Sequence, residues 1–158
     1  MGLASTVAQA PASAPPSGLG LPLTVDLPRS VDYVPEAHQL GQRLYLENCA
    51  TCHIGVPPET LPSEAWRTLI QDSNHYGSEI QLPQGPSRAL IWAYLRGFSR
   101  LKAEQEERVP YRLGRSRYFQ AIHPNVALPS DLSLQSCASC HIAAAQFSFR
   151  PWREGGDP

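Results

Sequence analysis

The sequence predicts a mostly α-helical protein with long irregular connections. Four segments repeat apolar residues at helical spacing, and no run is rich in the β-branched residues that favour strands. The 158 residues include 16 prolines and 11 glycines, which interrupt regular structure between those segments. We expect a flexible lead-in over residues 1–30, a first unit over 31–108 and a second over 109–158, the last two forming one cooperative body.

The lead-in differs in composition from the rest of the chain. Residues 1–20 carry no charge and too few large apolar side chains to pack. Ala8-Gln9-Ala10 resembles a signal-peptidase site, although the positive and apolar regions that should precede it are incomplete. We interpret the segment as the stump of an export signal. No stretch approaches 18 apolar residues, so we expect no membrane span. A net charge of −1 gives no basic surplus for nucleic acid.

The first two helices are predicted in the first unit. Residues 36–49 carry an apolar stripe with Gly41 on or beside it, which favours an amphipathic helix. A shorter pattern begins at Ser63, a candidate N-cap, and ends before a polar turn. His75 lies in that turn, which Gly77 closes.

The next two helices lie on either side of Pro110. After the candidate cap Ser87, apolar residues continue on one face as far as Leu101, and the charged stretch 102–108 is interpreted as a solvated face. Ser116 is a candidate cap for a short helix that runs to His123, where the following proline stops it.

Two copies of one five-residue pattern contain all four cysteines. They read Cys49-Ala50-Thr51-Cys52-His53 and Cys137-Ala138-Ser139-Cys140-His141. Residues at i, i+3 and i+4 share a helix face, so two thiols can bond the vinyl groups of one porphyrin while the histidine binds its iron. The pattern therefore predicts two covalently attached haem c groups.

Other uses of the cysteines fit less well. A zinc ribbon usually separates its two Cys-x-x-Cys knuckles by about 15 to 20 residues, whereas 84 residues lie between Cys52 and Cys137. Zinc also does not require a histidine after both pairs. A thioredoxin-like pair needs a βαβ unit, which the chain does not suggest, and two local disulfides would leave the histidines unexplained.

The composition of the chain limits which residues can be the second axial ligand of each iron. The only methionine is Met1, so the usual His/Met pair is excluded unless the terminus reaches back. Lys102 lies in a charged stretch, and His38, His75 and His123 remain as candidates.

Position sorts these candidates between the two irons. His75 lies 22 residues after His53, beyond a helix with an apolar face, so the chain can cross the porphyrin and return. His123 lies 18 residues before His141 at the end of its helix. His38, one helix before the first motif, is expected to be a surface residue or a propionate partner.

These residues resemble the small bacterial dihaem cytochromes c, often called DHC. The resemblance covers about residues 41–152. Besides the two Cys-x-x-Cys-His motifs it includes Leu61-Pro62 with Ser63-x-x-Trp66, His75-Tyr76-Gly77, Ile91-x-x-Tyr94-Leu95 and Arg117-Tyr118-Phe119-x-x-x-His123. It implies a class I cytochrome c-like N-terminal haem unit, a smaller, loop-rich C-terminal haem segment, and bis-histidine ligation of both irons.

The function expected from these features is electron transfer, because two imidazoles on each iron leave no position for a substrate. The resemblance implies redox partners: a membrane donor or another cytochrome, and a terminal haem protein as acceptor. The alternative is a dihaem enzyme of the peroxidase or thiosulfate-oxidising type, in which one haem opens. A redox sensor or a subunit of a larger complex is a third interpretation. Covalent haem attachment predicts an exported protein in the periplasm or an equivalent such as a thylakoid lumen.

Overall fold

A computed structural model describes residues 33–106, 112–128 and 131–150. Its α-helices are α1 Glu36–Cys49, α2 Ser63–Leu69, α3 Gly85–Phe98, α4 Arg117–Ala121 and α5 Cys137–Cys140. Strands β1 Asn74–His75 and β2 Ser78–Glu79 pair antiparallel between α2 and α3. Single turns of 3-10 helix occur at Pro58–Thr60, Leu113–Arg115, Leu134–Ser136 and Ala144–Gln146. The prediction of a mostly α-helical protein is confirmed for the described residues.

Helices α1 and α3 pack against each other at a glycine. A Cβ atom added at Gly41 would meet the backbone carbonyl oxygen of Leu90 and come 2.9 Å from Tyr94 Cβ. Because the carbonyl belongs to the α3 backbone, a side chain at this position would push the helices apart. The close contact fixes α1, and with it Cys49 at the C-terminal end of α1.

The core lies between α1, α2 and α3. Tyr45, Ile91, Tyr94 and Leu95 are each at most 1% exposed. The Tyr45 hydroxyl donates to the Val56 carbonyl oxygen at 2.7 Å and accepts from the Val56 N–H at 2.9 Å. These two bonds hold the loop after the first Cys-x-x-Cys-His motif against α1.

A hydrogen bond from an indole to the backbone holds the same loop. Trp66 of α2 donates from Nε1 to the Pro58 carbonyl oxygen at 2.8 Å. The Trp66 ring also meets Tyr45 edge to face, with centroids 5.7 Å apart. The loop from residue 54 to residue 58 is therefore fixed from both α1 and α2.

Among the described residues, the C-terminal segment contributes one fully buried side chain to this core, and Leu113, Leu134 and Phe149 pack partly buried against it. Phe147 is 2% exposed and packs with its ring centroid 6.1 Å from that of Tyr45. Its backbone adopts a left-handed conformation with φ 57°, which is uncommon for a residue other than glycine, asparagine or aspartate. The second half thus packs on the first through Phe147, as expected for a segment too short to bury a core of its own.

Two predicted helix caps are wrong. Ser63 is the first residue of α2 rather than its cap, and Pro62 occupies the cap position. α3 begins at Gly85, two residues before Ser87, because a proline at position 86 suits the first helical turn. The predicted cap Ser116 is confirmed, since its side chain accepts a hydrogen bond from Phe119 N.

The ends of α3 and of α4 also differ from the prediction. α3 stops at Phe98, and Leu101 is 82% exposed instead of continuing the apolar face. The following charged stretch is not wholly solvated, because the Glu106 side chain is only 4% exposed and pairs with Arg100. α4 ends before His123, which lies in the turn after the helix.

Several predictions concern parts of the chain outside the described residues. They are the lead-in 1–30 with its export-signal remnant and the boundary between residues 108 and 109. Within the described part, no helix is long and apolar enough to cross a membrane.

Candidate haem sites

The first motif follows directly from α1. Cys49 is the last residue of that helix and is half-buried, whereas Cys52 is exposed in the bend that follows. The expectation that the motif shares one helix face is therefore wrong here, because α1 ends before Cys52. The second motif does form a helical turn, α5, and His141 N donates to the Cys137 carbonyl oxygen at 2.8 Å.

His75 lies in a tight β-hairpin, where the sequence predicts only a turn. Tyr76 and Gly77 connect β1 to β2 with φ 54° and φ 94°, as a two-residue type I′ turn requires. Asn74 stabilises the turn by accepting from Gly77 N at 2.9 Å through Oδ1. The strands have only two residues each, which is too short for the alternating apolar and polar pattern that predicts a strand.

The hairpin brings His75 opposite His53. Their ring centroids are 6.0 Å apart and the ring planes differ by 15°. The His53 Nδ1–H donates to the Ile54 carbonyl oxygen at 2.8 Å. Since a carbonyl can only accept, Nδ1 carries the proton and Nε2 keeps its lone pair for a metal.

A large cavity lies beside this pair. Its volume is about 1110 Å³, and its lining includes Cys49, Cys52, His53 and His75. Apolar side chains from both halves of the chain complete the wall, namely Leu61, Trp66, Ile91, Leu95, Leu113, Leu128, Leu132 and Leu134. Cofactor pockets usually have volumes of about 300–1,000 Å³, so this cavity is large enough for a cofactor, and its wall is mostly apolar.

The second imidazole pair is His123 and His141. Their ring centroids are 6.1 Å apart and the planes differ by 74°. His123 Nδ1–H donates to the Phe119 carbonyl oxygen at 2.8 Å, which again leaves Nε2 free. Phe149 meets the His141 ring edge to face at 5.5 Å. Among the described residues, this pair and its cysteines lie outside the large cavity.

The spacing of both pairs fits an iron between two imidazoles. A metal–nitrogen bond of about 2 Å, with a ring centre about 1 Å beyond each nitrogen, places two coordinating rings about 6 Å apart. His75 Nδ1 and His141 Nδ1 are buried without a hydrogen-bond partner among the described residues, so no contact in that part of the chain sets the tautomer of these two rings. The four histidines therefore fit haem iron, with the cysteine thiols beside them.

Burial governs the titration of several of these groups. It lowers the pKa of His75, with a smaller contribution from His53, and so favours the neutral imidazole that a metal needs. Burial also raises the pKa of the Cys49 thiol to about 11 and raises the pKa of Cys137. At neutral pH these thiols are protonated, unlike the thiolates of a zinc site.

The other interpretations of these residues find no support in the geometry. No group of three or more His, Cys, Asp or Glu side chains that could hold a metal ion occurs within the described ranges. All four cysteines are free of disulfides. His38 packs edge to face on Phe98 at 5.6 Å, so it is not a fully solvated residue, and Lys102 is exposed.

Two arginines of the cavity were missed from the sequence. Arg88 and Arg112 both line it, and the Arg112 guanidinium stacks over the Tyr76 ring at 4.7 Å. Two cations beside an apolar pocket suit the carboxylate groups of a haem. Arg88 lies in α3 and Arg112 outside the helices, and neither belongs to a sequence motif, so only the fold reveals this arrangement.

A family model for dihaem cytochromes c, DHC, matches residues 45–149, about two thirds of the chain. The match includes both Cys-x-x-Cys-His motifs and the two candidate ligands His75 and His123. The matched family is one of cytochromes c that carry two haems. The chain belongs to the dihaem cytochrome c family, and haem c is the cofactor that membership implies. No curated protein and no solved structure matches it.

Proposed function

We propose that the protein is an electron carrier with two bis-histidine haems, each attached through two thioethers. His53 and His75 ligate the first iron, and His141 and His123 ligate the second. The observation that carries this proposal is the pair of imidazole separations, 6.0 and 6.1 Å, each next to a Cys-x-x-Cys motif. Haem c supplies a reversible one-electron iron couple when bound.

The residues around the first site keep its ligands in place. The Ile54 carbonyl orients His53, and the loop that carries that carbonyl is tied to Tyr45 and Trp66 by three buried hydrogen bonds. The type I′ hairpin presents His75 from the opposite side. Two fixed imidazoles let an electron arrive and leave with little rearrangement, which suits a carrier better than a catalyst.

The location and partners follow from the chemistry of attachment. Haem c is attached on the outer side of an energy-transducing membrane, so we place the protein in the periplasm or an equivalent compartment such as a thylakoid lumen. Its partners are then redox proteins, namely other cytochromes or a terminal haem protein.

The number and attachment of the haems are tested by the alkaline pyridine haemochrome spectrum. We expect two c-type haems per chain that acid-acetone does not extract, because the four thiols of the two motifs form thioether bonds to the haems. One haem per chain, or stoichiometric zinc, would contradict the proposal.

Carbon monoxide binding tests the ligands and separates a carrier from an enzyme. The reduced wild type should bind it only slowly, because both axial positions of each iron are filled and an imidazole must leave first. His75→Ala and His123→Ala should each open one haem to carbon monoxide, whereas His38→Ala should leave both spectra unchanged. Fast binding by the wild type would favour the alternative, a dihaem enzyme with one openable haem. Opening by His38→Ala would refute the ligand assignment.

A further inference from the structure

We infer that the buried ion pair of Arg100 and Glu106 is a positioning device for His123, acting through the cap of α4. The inference rests on the proposed ligation of the second haem by His123. It assigns to a cluster outside both haem sites a role in keeping the second iron closed.

The ion pair is bidentate and buried. Arg100 Nη1 donates to Glu106 Oε2 at 2.7 Å, and Nη2 donates to Oε1. The two side chains are 18% and 4% exposed. Glu106 Oε2 also accepts from Ala103 N at 2.8 Å, so the chain after α3 is folded around this carboxylate. Such geometry fixes the direction of the guanidinium.

Arg100 reaches α4 through a serine. Its Nη2 donates to Ser116 Oγ at 3.4 Å, and its guanidinium lies 4.9 Å from the centre of the Tyr118 ring. Ser116 is 2% exposed, and the same Oγ accepts from Phe119 N at 3.1 Å as the N-cap of the helix. The arginine thus holds the residue that begins α4.

The far end of α4 holds the ligand. The Phe119 carbonyl oxygen accepts from His123 Nδ1–H at 2.8 Å, and the two rings are 4.4 Å apart. A continuous chain of polar contacts therefore runs from Glu106 through Arg100, Ser116 and Phe119 to His123. The last bond in the chain sets the tautomer that leaves Nε2 for the iron.

A helix of this length needs such an anchor. α4 has five residues, far fewer than an isolated helix requires in water, so tertiary contacts must hold it. A buried ion pair contributes little net stability after desolvation, and orientation is its better use. Arg100 is also fixed at its backbone, because its carbonyl oxygen accepts from Ser63 N at 2.8 Å at the start of α2. The device thus ties His123 to the first haem unit.

Of the two imidazoles proposed for the second iron, His123 is the one that α4 orients. Within the described residues, His141 Nδ1 is buried without a hydrogen-bond partner, whereas His123 has the Phe119 carbonyl. Loosening α4 should therefore loosen the one imidazole of this pair that a protein acceptor orients.

The test uses the reduced holoprotein and its rate of carbon monoxide uptake, since carbon monoxide can bind only after an imidazole leaves. An N-cap serine changed to alanine weakens the start of a helix by about fivefold in equilibrium constant. We expect uptake at the second haem to rise about fivefold in Ser116→Ala and at least as much in Arg100→Gln and Glu106→Gln. The potential of the second haem should shift while that of the first is unchanged.

Two matched variants control for general damage. Ser116→Thr keeps a capping hydroxyl and should behave as wild type. Arg117→Gln removes an exposed arginine of the same helix, whose Nη1 donates to Gln105 at 2.8 Å, and should also leave uptake unchanged. If Arg100→Gln does not yield folded holoprotein, the comparison of Ser116→Ala with Ser116→Thr decides.

The inference is overturned if His123→Ala opens the second haem but Ser116→Ala takes up carbon monoxide within twofold of the wild-type rate. It is also overturned if both haems open faster together, since that would indicate a purely structural role. A different result, in which His123→Ala leaves both haems closed, would refute the proposed ligation itself.

Discussion

Two helical glycines should respond to the same substitution with opposite sign. Gly41 lies where α1 touches α3, and an added Cβ would collide with the Leu90 carbonyl and Tyr94. Gly97 in α3 has room for a methyl group, because its added Cβ would lie 3.6 Å from His38 Cε1, an ordinary contact distance. We predict that Gly41→Ala destabilises the holoprotein and that Gly97→Ala does not.

The magnitudes follow from two opposing terms. Replacing a helical glycine by alanine gains up to about 1 kcal/mol of helix propensity. Overpacking a tight contact costs about 1–3 kcal/mol, and the upper part of that range suits Gly41 because a backbone carbonyl cannot move aside. The free energy of unfolding should therefore fall by about 1–2 kcal/mol in Gly41→Ala and rise by up to about 1 kcal/mol in Gly97→Ala.

Guanidinium unfolding followed by far-ultraviolet circular dichroism measures both variants against the wild type. Unfolding free energies that rise equally in the two variants would show that α1 and α3 are not in close contact at Gly41. The packing that fixes the end of α1, where Cys49 lies, would then be wrong.

Two further predictions concern the core and the potentials. Tyr45→Phe should lower the free energy of unfolding by about 2–4 kcal/mol, because it leaves the buried Val56 N–H and C=O without their partner; the exposed Tyr33→Phe is its control and should change stability by less than about 0.5 kcal/mol. A loss under 1 kcal/mol in Tyr45→Phe would contradict those bonds. Spectroelectrochemistry should resolve two one-electron waves, both at negative or near-zero potential. The reason is that imidazole as the second axial ligand stabilises ferric iron more than methionine does. The C-terminal haem should be the lower, since fewer residues surround it and exposure favours the more charged ferric state; a single high-potential wave would contradict this.

The local parts of the fold were predictable from the sequence. The bounds of α1 follow from its apolar stripe, and the cap of α4 follows from Ser116, whose hydroxyl needs only a backbone three residues away. The errors at Ser63 and Ser87 arose where prolines beside these serines, at 62 and 86, determined how the helix began.

The parts that depend on long-range contacts were not predictable. The β1–β2 hairpin has strands too short for a period, and a tyrosine takes a left-handed conformation in its turn. The burial of Glu106 depends on how the chain after α3 folds back so that its carboxylate meets Arg100, and the run of charged residues alone predicts a solvated stretch.

In the candidate sites, too, the local sequence patterns were predictable and the long-range arrangement was not. The Cys-x-x-Cys-His motifs are local, and composition together with spacing selected His75 and His123 as the candidates opposite them. The orientation of each ring depends on tertiary structure, because a hairpin presents His75 and the turn after α4 presents His123. Arg88 and Arg112 reach the first cavity from distant parts of the chain, and no spacing rule links them.

The central claim is that two irons are each held between two imidazoles, and low-temperature electron paramagnetic resonance of the oxidised holoprotein tests it most directly. The rings of His53 and His75 are near parallel at 15°, which splits the iron orbitals and gives an ordinary rhombic low-spin signal. The rings of His123 and His141 cross at 74°, which leaves two orbitals nearly degenerate and gives a highly anisotropic low-spin signal. We predict both low-spin signals in equal amounts and no high-spin iron. A stoichiometric high-spin signal in the wild type would contradict the account.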